Sequence, residues 1–242
     1  MKFFSMTIGL FLFFLFPVTS QCQTYDQEAE SILKKVDEIR SPGANFIFTV
    51  QVKLDAPDAQ PNIFEVRVRE STKSIVLYQQ PVKQRGRALL LDGDNMWIFI
   101  PGTSRPLRIS PQQQLLGGVS YADVARVVFS LDYRVIQKED EQTGPILHLE
   151  ALNPKIPYRF ITLSLSQDMH PLRADFFSIS KKLLRTAYYE DYQNIQGALR
   201  PMRIRIISSI DLKQNATMSY SNFIIKETPL EYYQPSYLSR IR

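Results

Sequence analysis

Residues 46–70 read FIFTVQVKLDAPDAQPNIFEVRVRE, and this stretch decides the fold class. Large apolar side chains recur at every second position over residues 46–54 and again over residues 64–69. A period of two is typical of β-strands that bury one face of a sheet. The proline-flanked segment from Pro57 to Pro61 separates the two runs. We therefore predict two half-buried strands joined by a loop.

The same pattern continues along most of the chain, with hairpin-scale gaps between the runs. The turn Asp92-Gly93-Asp94-Asn95 joins two of the runs. It lacks the later ligands and terminal Glu of a calcium loop, which favours a turn over a metal site. About eleven short strands are expected in all, forming an antiparallel sheet that curls around a core. The predicted fold class is α+β, mainly β.

Two segments depart from this pattern and predict helices. Apolar residues recur at helical spacing from Tyr25 to Arg40, and Ser41-Pro42-Gly43 ends that run. A loop over Ser110 to Gly118 precedes a second, short helix from Ser120 to Phe129, with Ser120 as its cap and Asp123 at its acidic third position. No repeat or linker divides residues 21–242, so we expect a single domain.

The first twenty residues have the pattern of a secretory signal peptide. Lys2 supplies the positive start, residues 8–16 the apolar stretch, and Pro17 precedes a small-residue site that predicts cleavage after Ser20. Export to the periplasm follows from this pattern. Cys22 lies just behind the cleavage region, and two interpretations stay open for it: lipidation, which would tether the protein to a membrane, or a free thiol.

The composition argues against an enzyme and against a cofactor. One Cys, two His and nine Gly leave little material for metal sites, histidine triads or phosphate loops. No GxSxG, HExxH or Walker-type motif is present. His148 and His170 have no nearby nucleophile with ordered partners, so a hydrolase is the weakest hypothesis.

The chain is mildly basic, with a formal net charge of +5 and a pI near 9.2. Paired cations occur at Arg67 with Arg69, Arg203 with Arg205, and Lys181 with Lys182. They are typical of the solvated outer face of a sheet, and they would also suit anionic head groups or an acidic partner. Export argues against nucleic acid as a partner.

A curved sheet with a helix across its mouth encloses an apolar volume, which suits apolar ligands. Leu115, Leu116, Val119 and Tyr121 stand in the loop before the second helix and are candidate lid residues. The alternative is that they plug the core of the sheet. Pocket and core are lined by the same residue types, so the composition leaves both open.

One central segment resembles a known family. Residues 91–110 read LDGDNMWIFIPGTSRPLRIS and residues 115–126 read LLGGVSYADVAR. These segments resemble the LolA-like family of outer-membrane lipoprotein-sorting proteins, which includes LolA, LolB and RseB-type domains. The C-terminal PLEYYQPSYLSR, residues 229–240, is similar to the tail of one branch. The residues that carry the resemblance are Asp92, Gly93, Trp97, Pro101, Arg105, Arg108, Ile109, Ser110, Gly117, Gly118, Ser120, Tyr121 and Asp123.

The resemblance implies a half-open antiparallel β-barrel, apolar inside and closed by a helical lid. It implies a non-enzymatic periplasmic carrier that binds acyl chains of lipoproteins or lipids for transfer to the outer membrane. An inner-membrane exporter or transporter and an outer-membrane acceptor are the expected partners. An RseB-like interaction or sensor module that contacts a membrane partner is the alternative. The implied lipid-binding candidates are Trp97, Phe99, Leu115, Leu116, Val119, Tyr121, Val124 and Val127, and the structural motif residues are Asp92, Gly93, Pro101, Arg105 and Arg108.

Overall fold

A computed structural model of the chain describes residues 22–125, 128–154, 156 and 158–241, with side chains from residue 27 onward. The predicted signal peptide and Val127 lie outside the described residues. The backbone of Cys22 begins the first helix. None of the described helices is both long and apolar enough to cross a bilayer.

The described residues form fifteen strands and three α-helices. The helices are α1 (Cys22–Arg40), α2 (Tyr121–Ala125) and α3 (Phe129–Asp132). The strands are β1 (Phe46–Leu54), β2 (Asn62–Arg69), β3 (Lys73–Gln80), β4 (Ala88–Asp92), β5 (Asn95–Phe99), β6 (Leu107–Ile109), β7 (Gln114–Leu116), β8 (Val119–Ser120), β9 (Tyr133–Glu141), β10 (Gly144–Ala151), β11 (Phe160–Leu165), β12 (Pro171–Phe177), β13 (Leu183–Ile195), β14 (Ala198–Ser208) and β15 (Ala216–Ile225).

Thirteen of these strands form one antiparallel sheet in the order β6-β5-β4-β3-β2-β1-β15-β14-β13-β12-β11-β10-β9. Every neighbouring pair is consecutive in the chain except β1 and β15, which join the two halves of the sheet. In the described part of the chain, the edge strands β6 and β9 do not pair with each other, so the sheet curves without closing. This agrees with the expected mainly β class and with a half-open barrel.

Two details of the sequence prediction were wrong. The strand count is higher than about eleven, because β6, β7 and β8 are only two or three residues long and too short to show a period of two. The helix predicted from Ser120 to Phe129 is not continuous: α2 ends at Ala125, and Val128 has extended backbone before α3 begins at Phe129.

The main core lies between the concave face of the sheet and α1. Leu33 and Val36 of α1 are buried there together with alternate residues of the strands, such as Val50, Val52 and Phe64. The i, i+3, i+4 spacing in α1 and the period of two in β1 and β2 are the patterns that the sequence shows. The buried positions are therefore the ones that periodicity selects.

A second, smaller core lies on the other face of β3, β4 and β5. The C-terminal segment from Leu230 to Leu238 covers this face, and Tyr233 and Leu238 are buried against Ile75 and Leu90. Strands β3 and β4 are thus buried on both faces, which explains why their sequences read as continuous apolar runs rather than alternating ones.

Replacing Leu238 with Ala should lower the free energy of unfolding by about 2–5 kcal/mol, because the substitution leaves a cavity beneath the C-terminal segment. Urea denaturation followed by circular dichroism measures the change. Leu230→Ala is the matched control, since Leu230 is largely exposed. It should alter stability by about 0.5 kcal/mol or less. Equal losses in the two variants would contradict the placement of this segment.

Candidate ligand-binding site

A cavity of about 470 Å³ lies on the concave side of the sheet. Its walls come from the C-terminal half of α1, from residues 123–125, 128, 130 and 131, and from strands β1, β2, β14 and β15. The volume lies in the range of about 300–1,000 Å³ that small-molecule pockets occupy. Val68 and Ile204 on the sheet and Val124 on α2 contribute aliphatic surface.

Four aromatic rings form the floor of this cavity, which we call the aromatic floor: Phe46, Phe48, Tyr220 and Phe223. The ring of Phe48 stacks on Phe223 at 5.4 Å between centroids and on Phe46 at 5.5 Å. Tyr220 lies 5.9 Å from Phe48. Offset stacking at these distances is favourable, and it gives the cavity a rigid apolar surface.

A β-bulge produces the aromatic floor. The register between β1 and β15 shifts between Ile47 and Thr49, so Phe48 lies opposite an extra residue of β15. Asn222 takes up the irregularity with a φ of 55°, a backbone conformation that Asn tolerates better than most residues. The bulge reorients the chain so that Phe223 faces Phe48 across the concave side.

Charged residues of α1 also line the cavity. Lys34, Asp37, Glu38 and Arg40 all contribute to its wall. The guanidinium carbon of Arg40 lies 5.0 Å from the ring centre of Phe129, within cation–π range. The cavity is therefore apolar at its base and charged at one side, which matches the two ends of an amphiphile.

Asp37 fixes α1 to α3. Its two carboxylate oxygens accept backbone N–H groups from Phe129 and Ser130, each at 2.8 Å. Burial raises the pKa of Asp37, although these hydrogen bonds and the nearby Arg40 act in the opposite direction. A carboxylate at the start of α3 satisfies N–H groups that have no partner within the helix.

Residues 110–132 connect the two halves of the sheet and contain β7, β8, α2 and α3; we call them the lid segment. A buried ion pair attaches it to the sheet. Arg185 of β13 donates two hydrogen bonds to Asp123, both at 2.6 Å, and each side chain is only 6% exposed. Arg185 also donates to the Gly118 carbonyl oxygen at 2.8 Å.

The surroundings of this pair stabilise the charged state of Arg185. The Arg185 guanidinium lies between the rings of Tyr158 and Phe176, 4.4 Å from each centroid. Burial is the largest single influence and would lower the pKa of Arg185, but the charge and hydrogen bonds of Asp123 together with the neighbouring Tyr158 outweigh it and leave that pKa raised. Asp123 also accepts the backbone N–H of Ser120 at 2.7 Å, which completes the capping arrangement at the start of α2.

Gly117 and Gly118 let the lid segment approach the sheet closely. Gly117 has a φ of 55°, and a Cβ there would lie 2.4 Å from a Leu54 methyl carbon and 2.7 Å from the Gln214 carbonyl oxygen. The Gly118 N–H donates to that same oxygen at 2.6 Å. A side chain at Gly117 does not fit, which gives the Gly-Gly pair a structural role.

The structure separates the eight lipid-binding candidates. Val124 lines the cavity. Trp97 and Phe99 pack against the second core beneath the C-terminal segment, on the opposite face from Met96 and Ile98, and are not among the residues that line this cavity. The physical reason is the alternation of side chains along β5. Leu115, Leu116 and Tyr121 pack against the main core and Val119 is fully buried in it, while Val127 is outside the described residues.

The motif residues have structural positions. Asp92 forms an ion pair with Lys73 beside the turn at Gly93, whose φ is 55°. Arg108 donates to the Asn95 side chain across the β5–β6 pair. Pro101 and Arg105 lie in the exposed connection between these two strands.

Most residues of the site were not predicted from the sequence. Arg185, Asp37 and the aromatic floor are not among the predicted site residues. One sequence feature indicated a partner such as Arg185. Asp123 is expected to cap a helix that packs on an apolar sheet, and a buried carboxylate needs a cation beside it. The sequence does not indicate which of its many Arg and Lys residues fills that role.

His148 lies away from the cavity. Its ring nitrogens are 3.1 Å from a Glu139 carboxylate oxygen and 3.2 Å from the Thr162 hydroxyl, in a cross-strand row on the half-exposed face of β9, β10 and β11. Such rows are common between neighbouring strands. Across the described ranges, no cluster of three or more His, Cys, Asp or Glu side chains is arranged to hold a metal ion.

Removing the Arg185 side chain should be strongly destabilising. Arg185→Met leaves Asp123 buried without its cation, and we expect a loss of about 3–5 kcal/mol in the free energy of unfolding. The double variant Arg185→Met/Asp123→Leu should regain part of that loss, because it removes the unpaired charge. Urea denaturation measures all three proteins.

Arg173→Met is the matched control for this prediction. Arg173 pairs with Asp175 at 2.9 Å but is 47% exposed, so its loss should cost about 1 kcal/mol or less. If Arg185→Met is no more costly than Arg173→Met, the buried pair does not hold the lid segment.

Comparison with known proteins gives consistent results. A family model described as "Uncharacterized protein" matches residues 70–240. The structure is similar to that of the LolA superfamily protein NE2245 from Nitrosomonas europaea, with 32% sequence identity and a TM-score of 0.79. That match covers 86% of this chain and 98% of the other. None of the curated proteins compared with the chain matches it.

Two further solved structures share the fold at lower identity. An outer membrane lipoprotein-sorting protein domain from Vibrio parahaemolyticus is 15% identical with a TM-score of 0.70, and the match covers 89% of this chain and all of that one (100%). A DUF1329 family protein from Desulfovibrio piger is also 15% identical, with a TM-score of 0.69, over 88% of this chain and 98% of that one.

Proposed function

Because the chain belongs to the LolA superfamily, we propose that it is a periplasmic, non-enzymatic carrier of acyl chains. In this proposal the cavity holds the acyl chain of a lipoprotein or lipid while it moves toward the outer membrane. The observation that carries the proposal is the aromatic floor, an apolar surface within a cavity of about 470 Å³ on the concave side of the sheet.

The physical need for such a carrier is clear. Each CH₂ group kept out of water is worth about 0.8 kcal/mol, so an acyl chain crosses an aqueous space only if something covers it. The aromatic floor supplies that cover without forming a bond to the cargo. In this proposal the charged α1 side chains that line the cavity, Lys34 and Arg40 among them, contact the polar head group of the cargo.

The lid segment provides a way to release cargo. It contributes Asp123, Val124 and Ala125 to the cavity wall, and the Arg185–Asp123 pair attaches it to β13. Movement of α2 away from the sheet would expose the cavity. Because Asp123 is both a cavity residue and the partner of Arg185, binding of cargo and attachment of the lid are physically linked.

The test uses residues 23–242, which retain all fifteen described strands and omit both the apolar leader and the Cys22 thiol. Organic extraction of the purified protein, followed by mass spectrometry, should find co-purified lipid. The delipidated protein should bind a fluorescent fatty acid. An empty protein that binds none would contradict the carrier and favour an interaction module that contacts a membrane partner.

A pair of variants locates the binding. Phe223→Asn places a polar group on the aromatic floor and should weaken fatty-acid binding by about tenfold or more, because burying an unpaired amide is costly. Phe99→Asn makes the same change on the opposite face and should leave the affinity unchanged. Fluorescence titration compares the two, and equal affinities would rule out the aromatic floor as the binding surface.

A further inference from the structure

Three turns at one end of the sheet share an unusual composition. They are residues 81–87 between β3 and β4, residues 178–182 between β12 and β13, and residues 209–215 between β14 and β15. The strand registers place all three at the same end, since Ile63 lies opposite Gln80, Phe177 opposite Leu183, and Ile206 opposite Ala216. We call these three turns the basic rim.

Each turn exposes a large aliphatic side chain to solvent. Val82 is 65% exposed, Ile179 is 81% exposed, and Ile210 and Leu212 are 63% and 72% exposed. Turns usually consist of polar residues, and exposed apolar residues are usually scattered singly over a protein surface. Exposed aliphatic side chains in three turns at one end of the sheet are therefore unusual. The turns 178–182 and 209–215 are also neighbours, because β13 pairs with β14.

Basic side chains accompany these aliphatic groups. Lys83 and Arg85 follow Val82, Lys181 and Lys182 follow Ile179, and Lys213 follows Leu212. Asp211 is the acidic residue of these three turns, and its side chain accepts the Lys213 backbone N–H at 3.0 Å. The turn between β1 and β2 lies at the same end of the sheet but contains the acidic residues Asp55 and Asp58. The excess of basic over acidic residues is therefore a property of the three turns of the basic rim.

The turns at the opposite end of the sheet contain acidic residues instead. Glu70, Asp94 and Asp168 lie in these turns, and Glu141 ends β9 beside another of them. The turns at the two ends of the sheet therefore differ in charge, and the exposed aliphatic side chains of the basic rim lie at the basic end. This combination matches the surface of an anionic bilayer, where aliphatic groups enter the head-group region and Lys and Arg approach the lipid phosphates.

We propose that the basic rim docks on the surface of an anionic lipid bilayer, with Ile179, Ile210 and Leu212 entering the interface. A protein partner would need a continuous apolar patch or groove, whereas a bilayer accepts separate aliphatic tips. The docking surface also adjoins the lid segment, because the Gln214 carbonyl oxygen in turn 209–215 accepts the Gly118 N–H at 2.6 Å. The proposal does not depend on what the cavity holds.

Co-sedimentation of residues 23–242 with lipid vesicles tests the proposal. The protein should bind vesicles of phosphatidylcholine with phosphatidylglycerol and should bind pure phosphatidylcholine vesicles far more weakly. Raising the salt concentration should release it, because salt screens the attraction between Lys side chains and anionic head groups. Failure to bind the anionic vesicles would overturn the proposal.

Two double variants separate the charged and apolar contributions. Lys181→Gln/Lys182→Gln should lower the partition coefficient by roughly 30-fold, since each Lys near an anionic surface contributes about fivefold. Ile179→Ser/Leu212→Ser should lower it by about tenfold or more through the loss of apolar burial. All four side chains are exposed, so circular dichroism should show unchanged folding.

Ile225→Ser/Lys226→Gln is the matched control at the opposite end, where both side chains are also exposed. It should bind anionic vesicles as the unaltered protein does. Equal losses in the control and the rim variants would overturn the proposal, as would binding to polyglutamate with no binding to vesicles. Fatty-acid titration of the same variants should be unaffected, which distinguishes failure of docking from failure of the carrier function.

Discussion

The pairing of β1 with β15 is the constraint on which the rest of the structure depends. It is the one junction in the described sheet between strands distant in sequence, and it joins β1–β6 to β9–β15. The bulge that creates the aromatic floor lies in this same pair, so the cavity is built where the two halves meet. A long-range antiparallel pair therefore sets the position of the candidate ligand site.

The lid segment lies across the cavity from the aromatic floor and also connects the two halves of the sheet. The chain leaves the first half at β6 and enters the second at β9, and the segment between them covers part of the concave face. Its attachment relies on polar groups: Asp123 with Arg185, Asp37 with the start of α3, and Gly118 with Gln214. Buried ion pairs add little net stability compared with apolar packing, but they fix one arrangement and are costly to leave half-formed. That property would suit the release of the lid segment that the proposed function requires.

Much of the fold could be predicted from the sequence because the signal is local. The alternation in β1 and β2, the helical spacing of α1 and the Asp-Gly turn before β5 each reflect a backbone geometry that a few adjacent residues determine. Strands of two or three residues, such as β8, are too short for an alternating pattern to identify them. The start of α3 contacts α1, because Asp37 accepts the Phe129 N–H, and no local pattern reveals that contact.

The candidate site was less predictable than the fold, because its residues are brought together by tertiary contacts and not by a local sequence pattern. Trp97 and Phe99 have the right chemistry for a ligand pocket, yet β5 turns them toward the C-terminal segment, which approaches only in three dimensions. Phe48 and Phe223 meet because of a bulge in a pair 175 positions apart in the chain. Arg185 and Asp123 are 62 positions apart. Residue type indicated what kind of surface to expect, but tertiary pairing decided which residues form it.

Photo-crosslinking tests the central claim, that the cavity at the β1–β15 junction holds an acyl chain. A fatty acid with a diazirine near its terminal carbon is bound to residues 23–242 and irradiated, and the labelled peptides are identified by mass spectrometry. If the acyl chain lies on the aromatic floor, the labels should fall on residues 46–48 and 220–223. Labels confined to residues 97–99 and 230–238 on the outer face, or no labels at all, would contradict it.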